Sequence, residues 1–195
     1  MKKTLITILA TVLVCCCAVG GTLAWLMDKT QTVTNTFTVG DIEIELAETT
    51  TTYKMIPGNQ IAKDPKVSVV AESEACWLFV QVTKSDNFDT YLTYGVRDGW
   101  ETLADDGDSN ALTTVYYRTV TAEDAKNGVS YYLLTQGTDT YANGYVTVKS
   151  DVTAAQLETA ETTQPTLAFT AYAVQSDNIS AVADAWTQAK TAVAN

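Results

Sequence analysis

Hydrophobic and polar positions alternate with a period of two along most of this chain. In 30–39, Val33, Asn35, Phe37 and Val39 share one face, and Thr32, Thr34, Thr36 and Thr38 share the other. Successive side chains of a strand point to opposite faces, and β-branched residues suit a pleated surface, so this pattern predicts a half-buried strand. After Gly40-Asp41, Ile42, Ile44 and Leu46 alternate with Glu43 and Glu45, which predicts a second strand. Pro57-Gly58-Asn59 reads as a turn. More strands are expected at 66–71, 91–96 and 113–120. Two others, 129–135 and 145–149, are expected to pair as a hairpin across a loop rich in Gly, Asp and Asn. The stretch 76–83 is apolar on both faces as far as Val80, the pattern of a central strand covered on both sides. A last, long apolar strand is expected at 166–175.

Helical spacing appears in only a few places. Thr121 is placed to cap a short helix that Asn127-Gly128 would stop. Thr153 and Gln156 have the spacing of a capping box, with Val152 and Leu157 at the positions of a hydrophobic staple, so a helix is expected from there until shortly before Pro165. Ile179, Val182, Trp186, Ala189 and Val193 recur at 3-4-3-4 spacing, the stripe of an amphipathic helix packed on its domain. Nine or ten strands, tight turns, two or three short helices and no βαβ alternation predict an all-β fold. Its expected form is a β-sandwich of jelly-roll or Greek-key type, ending in the C-terminal amphipathic helix.

The beginning of the sequence departs from this pattern. Lys2 and Lys3 precede an apolar run from Leu5 to Val19, and Gly20-Gly21-Thr22 breaks it before Leu23-Ala24. Thr22-x-Ala24 has the small residues of a signal-peptidase site, so cleavage between Ala24 and Trp25 is expected. Residues 1–24 then form a signal peptide and 25–195 a single sandwich domain. The alternative is an uncleaved anchor, since the uncharged run 4–27 is long enough for the ~20 residues that span a bilayer. Cys15, Cys16 and Cys17 lack the small preceding residue of a lipidation site and read as apolar filler. In either case the membrane is met only through the leader.

Charge and composition narrow the chemistry. The chain carries 12 basic and 23 acidic residues, a net charge of −11, and loss of Lys2 and Lys3 would take it to −13. Such a chain repels nucleic acid and anionic headgroups, and neither is expected as a partner. There is no histidine, which excludes a Ser-His-Asp triad, a Cys-His pair and an H-E-x-x-H zinc site. Cys76 is the one cysteine outside the leader and reads as a small buried hydrophobe. No catalytic residue and no cofactor is expected. Asp106, Asp108 and Asn110 match the first three ligand positions of a calcium loop, but Ala111 stands where glycine is needed and Tyr117 where a bidentate glutamate belongs. The favoured reading is a solvated loop tip, with calcium as the alternative. Trp77, Trp100 and the ten tyrosines are expected to fill the core and bracket cross-strand pairs, with an aromatic carbohydrate platform as the competing reading.

The region 2–67 resembles the TasA/camelysin (CalY-like) family of secreted proteins of Gram-positive bacteria. The likeness rests on Gly20-Gly-Thr-Leu-Ala24, on Phe37-x-x-Gly40-x-Ile42-x-Ile44-x-Leu46, and on Pro57-Gly58-x-x-Ile61-x-Lys63-Asp64. Phe169-Thr-Ala-Tyr-Ala-Val-Gln175 before a Trp-containing helix is similar to that family's last core strand. The middle of the chain carries no family motif. The resemblance implies processing by a signal peptidase of SipW type, location in the extracellular biofilm matrix or at the cell surface, a jelly roll, and fibres in which each subunit lends an N-terminal strand to the next. The metallopeptidase activity described for camelysin-like members does not carry over, because the histidines it would need are missing.

The expected function is therefore that of a secreted, non-enzymatic subunit of matrix or surface fibres. It would assemble with copies of itself through Val33, Asn35, Phe37 and Val39. A secreted camelysin-like metallopeptidase and a monomeric adhesion or binding module are the alternatives. Ala24→Asp should block removal of the leader, since the peptidase needs a small residue there. Secreted protein of unchanged mass from that variant would place the cleavage elsewhere.

Overall fold

The stretch around Cys76 that is apolar on both faces forms the centre of the fold. The computed structural model describes residues 42–49, 54–104 and 110–193. Its strands are β1 (Ile44–Ala47), β2 (Gln60–Ala62), β3 (Lys66–Val69), β4 (Cys76–Lys84), β5 (Leu92–Tyr94), β6 (Glu101–Thr102), β7 (Thr113–Val120), β8 (Val129–Tyr132), β9 (Tyr145–Val148) and β10 (Leu167–Gln175). The helices are α1 (Phe88–Tyr91), α2 (Ala122–Asn127), α3 (Ala154–Thr162) and α4 (Val182–Val193), with a single 3-10 turn at Asp139–Tyr141. The leader, the expected strand at 30–39 and the Gly40-Asp41 turn lie outside the described residues.

All pairings are antiparallel. One sheet has the order β10-β4-β7-β6, with β4 at its centre. Cys76, Leu78, Val80 and Val82 point to one side of β4 and Phe79 to the other, and all five are fully buried. The first set packs against Val67 and Val69 of β3 and Val146 of β9, and this apolar layer joins the sheet to the rest of the β-structure. On the opposite face, Phe79 meets Trp186 of α4 at 5.2 Å, and Tyr172 of β10 meets the same indole edge-on at 5.1 Å. The amphipathic stripe thus packs on its own domain, with Ala185, Trp186 and Ala189 buried. The side chain of Val193 lies outside the described residues.

The other strands form two three-stranded sheets, β1-β3-β8 and β2-β9-β5, which are joined end to end. One continuous stretch supplies both β2 and β3. Opposite it, β9 pairs with β2 and β8 pairs with β3. Between these pairs the ladder is carried on by Lys63 N–H donating to the Gly144 carbonyl and Leu133 N–H donating to the Pro65 carbonyl. The expected β8–β9 hairpin is therefore corrected: both strands run in the same direction, one after the other, along a single neighbour. The segment between them leaves the sheet and returns to the same line. Arg97 holds the two ends of this excursion, donating from Nε to the Leu134 carbonyl at 3.3 Å and from Nη2 to the Ala142 carbonyl at 2.8 Å. Gly144 is required where the chain re-enters, because a Cβ there would lie 2.5 Å from the Lys63 carbonyl oxygen.

The helix caps follow the sequence. The Thr121 hydroxyl accepts from Asp124 N–H, and Gly128 closes α2 at φ 75°. Thr153 and Gln156 form both halves of the capping box, and Val152 and Leu157 sit together in a third apolar cluster with Phe88 and Val148. The expected two or three helices become four among the described residues, because α1 occupies the start of what reads as a strand at 91–96. Tyr91 ends that helical turn and only Leu92–Tyr94 is strand. Among the described residues no helix is long and apolar enough to cross a membrane.

Burial separates two phenylalanines that read alike in the sequence. Phe79 is fully buried, whereas Phe169 is half-buried at the rim of the first core under the Lys63 ammonium. Phe79→Ala should cost ~3–5 kcal/mol and Phe169→Ala roughly half as much, as less area leaves water. Equal losses in urea unfolding would contradict this packing.

Candidate assembly edge

β10 forms one side of the four-stranded sheet. Ser85 N–H donates to the Thr166 carbonyl and Ser176 N–H to the Ala75 carbonyl. With Leu167 opposite Lys84 and Gln175 opposite Cys76, alternation of an antiparallel ladder fixes the phase. Ala168, Thr170, Tyr172 and Val174 exchange backbone hydrogen bonds with β4. The N–H and C=O groups of Leu167, Phe169, Ala171, Ala173 and Gln175 point the other way, and among the described residues none of them has a partner.

A nine-residue open edge is unusual without protection. Edges are normally shortened, charged or broken by proline. The other end of this sheet follows that rule: β6 is two residues long and carries Glu101. β10 contains no charged residue and no proline. The side chains on its open-edge positions are also suited to a neighbour. Leu167, Phe169, Ala171 and Ala173 pack against the first core and stay only partly buried. Beside them lies β1, whose Leu46 is 40% exposed.

Around the far end of β1 the chain is held by polar contacts. Glu48 accepts from Lys63 Nζ in a largely buried ion pair. The Asp64 carboxylate accepts from the Thr49 N–H at 3.0 Å and from the Thr49 hydroxyl at 2.5 Å. Burial pushes the Asp64 carboxyl up. The Thr49 donors, Asp64's own N–H and the charge of Lys63 together outweigh this and hold it below the ordinary value. Lys63 also lines a mixed polar and apolar cavity of about 720 Å³ with Lys54, Ile61, Phe88, Glu161 and Leu167, the first residue of β10.

The residues expected to carry function are spread differently. Ala24, Trp25, Val33, Asn35, Phe37 and Val39 lie outside the described residues, as do Asp106 and Asp108. Asn110 is exposed and serves the turn into β7: its side-chain oxygen accepts from Leu112 N–H and its carbonyl from Thr113 N–H. Among the described residues no three acidic or cysteine side chains gather closely enough to hold a metal ion. Cys76 is buried, and desolvation pushes its thiol up to about 11, so it is a packing residue and no nucleophile at neutral pH. The open edge of β10 was not legible as such. Its run of apolar residues reports the layers above and below the strand and says nothing about what lies to its side.

Comparison with known protein families, with curated proteins and with solved structures finds no match.

Ala171→Pro should be tolerated, because the lost N–H faces outward, while Thr170→Pro removes a ladder bond and should cost ~3 kcal/mol or more. Equal destabilisation of the two would reverse the assigned phase. For Asp64, a depressed folded pKa contributes stability above the unfolded value and loses it as pH falls through the folded value. Asp64→Asn should therefore destabilise at neutral pH, and the difference from the parent should shrink in acid. A difference that grew on acidification would contradict the sign.

Proposed function

We propose that this protein is a secreted structural subunit of an extracellular matrix or surface fibre, built by donation of an N-terminal strand from one copy to the next. The observation that carries the reading is the unprotected β10 edge. Five alternate residues from Leu167 to Gln175 offer outward backbone donors and acceptors, above a half-covered apolar rim. Strand addition satisfies such groups along the whole edge, and alternate side chains supply specificity.

The segment 25–39 has the complementary character. It contains no proline, and from Thr30 it alternates threonine with Val33, Asn35, Phe37 and Val39. One face of an added strand would complete the rim beside Phe169 and Ala171, and the other would be wet. Cleavage after Ala24 would release this segment from the membrane, so that processing licenses assembly. A jelly roll is supported by two antiparallel layers, each with four strand positions when β2–β3 and β9–β8 are counted as single lines.

The test removes residues 25–36 from the processed protein. The remainder should keep its circular dichroism, form no filaments under the electron microscope, and bind an added peptide of residues 25–39. Ala171→Pro should be folded and equally unable to accept the peptide. Filaments from the truncated protein would exclude strand donation. Global unfolding on truncation would show that 30–39 pairs within its own subunit.

A further inference from the structure

Strand donation along β10 leaves two features without a role. One is the cavity of about 720 Å³ lined in part by Leu167, a volume in the range that takes a compact ligand. Ile61, Phe88, Leu157 and Leu167 form its apolar wall, where the first and third apolar clusters meet. Its polar wall carries Lys54 and Glu161, with Ile56 between chain neighbours of the same wall. Ile56 is one of two large apolar side chains left exposed among the described residues. Lys63 also lines the cavity, but Glu48 already holds it. Lys54 and Glu161 are exposed, and neither side chain makes an ion pair or a hydrogen bond with another described residue. Glu161 stands in the last turn of α3, which has no basic residue to balance its carbonyl ends.

The other feature is the apolar triplet Trp25-Leu26-Met27, followed by Asp28 and Lys29. The alternation that suits the edge starts only at Thr30, and residues 30–39 are enough to cover the nine residues of β10. Three adjacent apolar residues cannot share one face of an added strand, so the triplet needs another place. The cavity is lined by Gln164, Pro165, Thr166 and Leu167, the run that leads into β10. A strand parallel to β10, with Thr30 near Leu167, would carry residues 25–29 back along that run for about 16 Å. An antiparallel strand would carry them to the Gln175 end, away from the cavity.

Resting on strand donation, we propose that the cavity seats the Trp25–Met27 end of the strand donated by the neighbouring copy, with the Trp25 indole on the apolar wall, the freed α-ammonium at Glu161 and the Asp28 carboxylate at Lys54. Cleavage after Ala24 creates that ammonium, which is mostly protonated at neutral pH. Glu161 and the C-terminal end of α3 both attract it. The segment then reads positive, apolar, negative, and the cavity offers a negative group, an apolar wall and a positive group in answer. A fatty acid would find Lys54 but would be repelled by Glu161 and by a chain of net charge −11. The seat fixes two things that the bare edge leaves open. The donated strand runs parallel to β10, and a large side chain at its start sets the register.

The experiment uses the processed chain carrying Phe37→Asp, which disables its own donation and leaves its edge and cavity intact. It is titrated with dye-labelled peptides of residues 25–39 and 30–39, the longer one also made with a fluorinated tryptophan at position 25. The longer peptide should bind at least about tenfold tighter than the shorter, and its fluorine resonance should shift on binding. Ile56→Asp in the acceptor, at an exposed position, should abolish the difference and leave the affinity of the shorter peptide unchanged. Lys54→Glu should weaken the longer peptide, and Asp28→Lys in that peptide should restore it. Equal affinity of the two peptides, or an unmoved fluorine signal in the bound state, overturns the seat and leaves strand donation standing. Binding of the longer peptide that Ala171→Pro does not diminish would keep the seat and exclude donation along β10. Failure of both peptides to bind overturns both. Decanoate that displaces the longer peptide by binding more tightly would reassign the cavity to a small amphiphile and overturn the proposal.

Discussion

The two-sided burial of β4 is the constraint on which the other elements depend. A strand has only two faces, and here both are dry. The even-numbered positions from Cys76 to Val82 must find a second layer of β-structure, and Phe79 must find a helix. The long connections of the chain are organised to meet both demands. β3, β8 and β9 supply the first cover, and Leu167–Gln175 and Val182–Val193 supply β10 as a neighbour and α4 as a lid. Among the described residues, α4 is held chiefly by this apolar contact. Its buried face consists of Ala185, Trp186 and Ala189, and most of the apolar area among them belongs to one indole. The small residues on either side let that indole approach Phe79 and Tyr172 closely.

Local signals were legible wherever a local interaction decides the structure. Thr121, Gly128, Thr153 and Gln156 cap their helices as their chemistry demands, because a cap involves groups three or four residues apart. β7 begins and ends where its alternation does. Misreadings occurred where the deciding partner is distant in sequence. The turn residues of 136–144 resemble a hairpin loop, and nothing within them reveals that Arg97 and the Lys63 carbonyl bring the chain back onto its original line. Tyr91 reads as the first residue of a strand, but it is buried at the end of a helical turn, in the cluster under α3. Phe79 and Phe169 both stand in apolar runs. The first is at the middle of a sheet and the second at its margin, a distinction set by neighbour order alone. Trp77 and Trp100 likewise divide: Trp100 is buried as expected of a core residue, and Trp77 borders a groove.

The two ends of the four-stranded sheet are finished by different physical means. At the β6 end the exposed backbone is brief. Glu101 and the stacked Arg118 supply charge close to it, a combination that discourages another strand from pairing there. At the β10 end neither device is present, and the outward backbone groups of alternate residues have no partner among the described residues. The asymmetry matters because the stability of the isolated domain would gain from protecting both ends alike. An edge left long and uncharged is a cost in aggregation risk, and the proposed strand donation would offset that cost by covering it.

If the edge is filled as proposed, the nature of the occupant would govern the type of assembly. Two β10 edges could meet about a two-fold axis. Such an isologous contact would join one pair and stop. It would also leave the rim between β10 and β1 uncovered on both copies, because the inward-facing side chains of each β10 already belong to their own core. A separate strand is slimmer than a whole sheet. It can enter beside Phe169 and Ala171, take up the outward backbone groups and cover the rim in one step. The surface that accepts it and the segment that provides it then lie on different parts of the chain, so the contact is heterologous and each addition leaves a new acceptor. On the strand-donation proposal, open-ended growth would follow from edge geometry and would require no second interface.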